Sequence, residues 1–225
     1  MSDTLETMRD FFNNRAHVYD AVHLEHIDGG MESKQIIASL LPKHVKTLLD
    51  LGVGTGLELD AIFGRFPGIH VTGLDVAQNM LDLCVEKYPG KHLYLRHDSY
   101  LNCDLGTNLY DAALSVMSLH HYSHSIKANL YQKIYNCIRI DGVYIECDYM
   151  LSESEYDDPQ QMEDFYFAER KRLMREQNIT DDGDYHYDTP RTVTNQINML
   201  QMAGFITVKE TWRKKNTVIL TAQKK

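Results

Sequence analysis

Three groups of side chains in this sequence are of types that do chemistry. The first is Asp50-Leu51-Gly52-Val53-Gly54-Thr55-Gly56, which follows the apolar pair Leu48-Leu49. Glycines at alternate positions let a chain turn tightly and bring its backbone against a ligand. A dinucleotide loop has the spacing Gly-x-Gly-x-x-Gly; counted from Gly52, its third glycine position holds Leu57. Asp50, just ahead of the glycines, would repel a pyrophosphate and welcome a cation. The second group is Asp75, which closes the stretch Ile69 to Leu74. It lies about 20 residues past the glycine loop, where a carboxylate accepts hydrogen bonds from a ribose. Its plainer alternative is the cap of the next helix. The third group is Leu119-His120-His121-Tyr122, just past the run Tyr110 to Val116. An imidazole there lines an active-site crevice and can take a proton near neutral pH. Adjacent histidines are expected to point in different directions. No His-x-x-Glu or carboxylate triad stands at metal spacing, so no metal site is expected.

These groups need elements to hold them. Apolar runs over Leu48–Leu51, Ile69–Leu74, His92–Arg96, Tyr110–Val116 and Val143–Asp148 read as strands. Helical spacing follows Gly56, spans Val76–Tyr88 and runs from His124 to Arg139, where Asp141-Gly142 is expected to stop it. Strand alternating with helix is the pattern of a doubly wound sheet. Residues 1–45 read as helical segments broken at Gly29-Gly30 and stopped by Pro42. Residues 152–188 break the rhythm: an acidic linker, a polar helix from Pro159 to Gln177, then a turn at Asp181–Asp184. Thr189-Pro190 reads as the start of a further helix, ended by Gly204. Phe205–Trp212 and Thr217–Ala222 close the chain as two strands.

Asp50-x-Gly52-x-Gly54-x-Gly56 resembles the first motif of class I S-adenosylmethionine-dependent methyltransferases. Phe12-x-x-x-Ala16-x-x-Tyr19-Asp20 is similar to the N-terminal cap of members related to ubiquinone and menaquinone biosynthesis, and Leu119-His120-His121 resembles the small-molecule members. The likeness covers roughly residues 12–222. It implies an α/β fold: a seven-stranded, doubly wound, Rossmann-like sheet, mostly parallel, with a C-terminal antiparallel hairpin. One domain would span residues 1–225, with an N-terminal helical cap over 1–45 and a helical insertion or lid over 152–188. It implies S-adenosylmethionine as cofactor and S-adenosylhomocysteine as product. Asp50, Gly52, Gly54, Gly56, Asp75, Val76, Met80, Asp98, Ser99 and Ser115 would hold the cofactor, with Asp98 facing the adenine amino group. The chemistry would be in-line displacement by a small-molecule acceptor. His121 or His120 is the candidate proton acceptor, and Tyr19 would shape the pocket. The insertion and C-terminal region also resemble carboxy-S-adenosylmethionine synthase, which needs a basic side chain for a second carboxylate. Arg170, Arg172, Arg175 and Arg191 are the candidates for that role. A cofactor-sensing protein without catalysis is another reading. An NAD-dependent enzyme is disfavoured by the missing third glycine.

Composition sets the outer bounds. Of 225 residues, 43% are hydrophobic and 24% charged, ordinary for a globular domain. The net charge is -9, from 23 Lys+Arg against 32 Asp+Glu, which argues against a broad nucleic-acid face. Cys84, Cys103, Cys137 and Cys147 form no Cys-x-x-Cys pair and read as reduced thiols, mostly buried. No apolar run reaches transmembrane length and no signal-peptide core opens the chain, so a cytoplasmic location away from membranes is expected. A homodimer remains open.

Overall fold

The computed structural model of the protein describes residues 4–180 and 185–225; the turn expected at Asp181–Asp184 lies outside them. Seven strands form one sheet: β1 (Thr47–Leu51), β2 (His70–Asp75), β3 (Leu93–His97), β4 (Tyr110–Val116), β5 (Ile138–Tyr149), β6 (Ile206–Lys214) and β7 (Thr217–Gln223). Their order is β3-β2-β1-β4-β5-β7-β6. The strands β1 to β5 pair in parallel, and β7 runs antiparallel to both β5 and β6. The order reverses between β1 and β4, and their carboxyl ends open the crevice where ligands sit in this architecture.

Both faces of the central strands are buried, as parallel strands require. Leu48 and Leu114 face one core with Ile37, Ile62 and Leu81. These come from α2 (Gly30–Leu40), α3 (Leu59–Arg65) and α4 (Gln78–Lys87). Leu49 and Leu51 face the other with Leu130, Ile134 and Leu200, from α5 (His124–Cys137) and α7 (Val193–Met202). Cys84, Cys137 and Cys147 are free and buried, as expected.

Two further helices lie outside this frame. α1 (Met8–His26) starts at Thr7, whose hydroxyl accepts from Asp10 N at 3.1 Å. It is one continuous helix, and the chain breaks before α2 at Gly29, as expected. α6 (Pro159–Glu176) follows an Asp158 cap that accepts from Gln161 N at 3.0 Å, with Pro159 in the first turn.

Three boundaries differ from expectation. α5 stops at Cys137, and Asp141-Gly142 lies inside β5. Asp141 takes a φ of 63° there, and a Cβ on Gly142 would meet Asp111 O at 2.8 Å, so the pair marks a kinked strand rather than a helix stop. α7 is capped by Thr192 instead of Thr189. The Thr189 hydroxyl instead donates to the carbonyl oxygen of His120 at 3.0 Å.

Candidate active site

The glycine loop leaves β1 with positive φ at Gly52 (76°), Gly54 (52°) and Gly56 (73°), a region costly for any other residue. A Cβ on Gly52 would run into Ser118 Oγ. Gly54 N donates to Asp75 Oδ2 at 2.9 Å, and Ala77 N donates to Asp75 Oδ1 at 2.8 Å. Asp75 thus ties the loop to the start of α4 while lining the crevice beside Gly52, Gly54, Val76 and Met80. Burial raises its pKa, against the lowering effect of those amides.

Asp50 sits beneath the loop, 1% exposed. Neither of its oxygens, nor Glu58 Oε1, meets a hydrogen-bond donor. Burial and the neighbouring Glu58 carboxylate push Asp50 well above the usual carboxylate range. Two buried acids with unmet acceptors form a ready seat for an ammonium group.

The crevice holds only about 40 Å³, room for a few waters. Met8, Phe12 and Tyr19 of α1 close it over. Beyond Met8 and Val76 lies a groove of about 430 Å³, lined by His97, Asp98, Ser99 and Asn102.

On the other side of Tyr19 opens a pocket of about 400 Å³. Its walls are aromatic and imidazole: Phe11, Phe12, Tyr19, His120, His121 and His186 among them. Phe12, Tyr19, Met117 and His121 line both this pocket and the crevice. Met117 carries a φ of 47°, unusual for a side chain of its size, and its N–H donates to Cys147 O at 2.7 Å.

The polar floor of the pocket is built from three distant segments. Asp148, near the end of β5, faces His120 Nδ1 at 2.5 Å and accepts from Leu119 N at 3.1 Å. Asp188 Oδ1 stands 3.6 Å from His120 Nε2 and 3.1 Å from His121 Nδ1. The rings of His120 and His121 lie 3.9 Å apart, and His186 is 4.6 Å from His121. Burial opposes a charge on His120, but Asp148 overcomes it and raises its pKa. Burial and the neighbouring His120 lower His121. Burial drives His186 down to about 3. Asp188 is held below the carboxylate range by the surrounding imidazoles, in spite of its burial. Burial and the nearby carboxylates of Glu58 and Asp75 raise Tyr19.

A sequence-family model described as "Methyltransferase domain" matches residues 48–142, the stretch from the glycine strand into β5. The chain is 25% identical over 182 residues to a phosphoethanolamine N-methyltransferase of Plasmodium falciparum, covering 76% of this chain and 67% of that one. Residues 48–142 of this chain are thus similar to a methyltransferase domain. It is also 22% identical over 232 residues to a carboxy-S-adenosyl-L-methionine synthase of Campylobacter hominis, covering 96% of this chain and 94% of that one. Among solved structures, a putative O-methyltransferase from Nostoc punctiforme superposes with a TM-score of 0.71 at 18% identity. That match covers 97% of this chain and 62% of the Nostoc chain, so the chain spans under two thirds of that structural relative's length.

Most residues expected to hold the cofactor line the crevice or the adjoining groove: Gly52, Gly54, Asp75, Val76, Met80, Asp98 and Ser99. Two do not. Gly56 faces α4, where a Cβ would lie 2.9 Å from Cys84 Sγ and from Tyr88 Cε2, so it serves helix packing. Ser115 points to the opposite sheet face and meets the Tyr144 hydroxyl at 2.7 Å. A strand alternates its faces, so Val116 occupies the crevice side instead. The adjacent histidines converge, against expectation, because the loop after β4 is gathered by Asp148 and Thr189. In the insertion, α6 stays off the pocket, and the segment after it supplies His186 and Asp188. Sequence reasoning missed Asp148, His186 and Asp188. Their one local signal is His186-x-Asp188, two donors that close the insertion. Among the described residues no helix is long and apolar enough to cross a membrane.

Proposed function

We propose that this protein moves a methyl group from S-adenosylmethionine to a small-molecule acceptor seated in the aromatic and histidine pocket. One observation carries the reading: the crevice and the pocket share a wall of Phe12, Tyr19, Met117 and His121. A nucleoside along the first would present its reactive end to the second.

The residues present fit the cofactor. Asp50 and Glu58 offer unmet buried acceptors to an α-ammonium, Asp75 offers remaining acceptor capacity to a ribose, and Gly52 leaves no side chain in the way. The bound cofactor supplies an activated methyl on a sulfonium, so the protein's own task is to orient and desolvate. Phe11, Phe12 and Tyr19 would exclude water from the acceptor side. His120 and His121 would touch the acceptor's reacting group, with Asp148 and Asp188 fixing their rings. Admission of the cofactor requires α1 to move, because its side chains fill the crevice. Side-chain bonds hold that helix to the body at Asn13–Asn79, Asp20–Thr55 and Asp20–Lys87.

The reading as a carboxy-S-adenosylmethionine synthase has less support. Arg170, Arg172, Arg175 and Arg191 line neither cavity. Arg172 pairs with Glu169 and Glu176, and Arg191 with Glu163 at 2.8 Å.

Calorimetry with S-adenosylmethionine and NAD tests the proposal. S-adenosylmethionine should bind and NAD should not. Asp75→Ala should weaken S-adenosylmethionine by about 1–3 kcal/mol, the value of a hydrogen-bonded buried carboxylate. NAD binding alone, or an unchanged Asp75→Ala, would refute it. Mass spectrometry of the copurified nucleoside separates S-adenosylmethionine from a carboxylated form.

A further inference from the structure

We infer that His120, His121 and Asp188 form a binding site for one divalent transition-metal ion on the acceptor side of the pocket. One ligand atom from each of the three lies within 4.8 Å of the others. Two ligands on a tetrahedral zinc stand about 3.4 Å apart, given metal–ligand bonds of about 2.0–2.2 Å. The separations of Asp188 Oδ1 from His121 Nδ1 (3.1 Å) and from His120 Nε2 (3.6 Å) bracket that value. Two imidazoles and one carboxylate, with the pocket's open volume in front, make a site that keeps exchangeable positions.

Two independent observations point to a ligand here. His121 Nδ1 is buried and meets no donor or acceptor in good hydrogen-bond geometry other than the Asp188 carboxylate, whose Oδ1 stands 3.1 Å away. Ligands on one ion stand this close, aiming at a common point. His120 is already prepared as a ligand: Asp148 holds its Nδ1 at 2.5 Å, which fixes the ring and leaves Nε2 for the pocket. A carboxylate behind a metal-bound histidine is the usual outer partner, raising the basicity of the ring. Asp188 brings formal negative charge, and its side chain is 44% exposed, so an ion has a route in. His186 stacks on Phe11 at 3.4 Å and forms the wall beside the site.

Zinc or ferrous iron suits this donor set. The ligand class in front of the ion is a small molecule with a hydroxyl, thiol or amine lone pair. The relevance of the ion to methyl transfer rests on the function proposed above; the binding itself does not.

Untagged protein, dialysed against chelator and then titrated with Co²⁺ or Zn²⁺, gives the test. One equivalent of Co²⁺ per chain is expected, with visible bands of the intensity that four-coordinate cobalt gives. Asp188→Asn and His121→Ala should each weaken Zn²⁺ at least tenfold, while His97→Gln on the neighbouring groove leaves it unchanged. Asp188→Asn conserves shape at a half-exposed position, and its calorimetric affinity for S-adenosylmethionine, unchanged from the parent, reports that it is folded. No stoichiometric metal, or binding indifferent to both variants, overturns the site. Metal binding without S-adenosylmethionine binding would leave the site standing and remove the methyltransferase reading; the reverse result removes the site alone.

Discussion

Two buried acids, on opposite faces of the sheet, have opposite surroundings. Glu146 on β5 receives the Tyr131 hydroxyl at 3.0 and 2.9 Å, the Tyr144 hydroxyl at 3.3 Å and Gln196 Nε2 at 2.6 Å. Burial raises Glu146 to about 7 against the opposing pull of Lys127, which itself donates to Gln196 Oε1 at 3.3 Å. Asp50 on β1 is equally buried and receives nothing, with another acid, Glu58, beside it. A saturated network joins elements: it fastens α5 and α7 to the sheet. An unsaturated pair stores an electrostatic cost that a visiting cation relieves. On the function proposed above, the contrast is between a structural acid and a binding one.

The largest effect that tests this contrast belongs to the saturated side. Glu146→Ala strands Lys127 and Gln196 in the core, and urea denaturation should find a loss of about 3–5 kcal/mol. A loss below about 1 kcal/mol would mean that the network is ornamental. Asp50→Asn should act in the reverse sense on the free protein. It removes one of two crowded acids, so stability should rise by on the order of 1 kcal/mol, while affinity for S-adenosylmethionine falls by about 1.5–3 kcal/mol. A variant that is both less stable and equally tight would reverse the assignment.

The effect that is absent at neutral pH and grows only with acid concerns His23, whose Nε2 lies 3.0 Å from Lys34 Nζ near the Asp50 pair. Burial and Lys34 hold His23 at about 3 in the folded chain, against about 6.5 when unfolded. A depressed folded pKa gives stability that is present above pH 6.5 and is lost as pH falls toward 3. One proton corresponds to a slope of about 1.4 kcal/mol per pH unit in that window. His23→Gln keeps an acceptor for Lys34 and should flatten that part of the curve of stability against pH; an unaltered curve would show that His23 does not titrate this way.

The glycine-loop side of the crevice was legible in the sequence because its signals are local. The glycine loop and the acid after the next strand sit at fixed offsets along two neighbouring strands. The apolar runs that carry them allow little choice of face. Ser115 was misplaced because a one-residue error in a strand exchanges the two faces. The Asp141-Gly142 error has a similar root. The pair is a common helix terminator, and only the pairing of β4 with β5, with its shift between Tyr110 and Ala112, reveals the kink. The acceptor side was hardly legible. Asp148, His186 and Asp188 reach His120 and His121 through bonds such as Thr189 N to His120 O at 2.6 Å, which joins residues far apart in the chain. No periodicity encodes such a meeting.

The cap is stitched to the strap that carries His186. Thr7 bridges Tyr185, His186 N donates to Glu6 O at 2.9 Å, and Leu5 N donates to Gln177 Oε1 at 3.0 Å. One hinged piece therefore roofs the nucleoside channel and walls the neighbouring chamber. On the function proposed above, swinging it aside to load the first compartment would dismantle the second, and the compartments would fill in a compulsory order, nucleoside before acceptor.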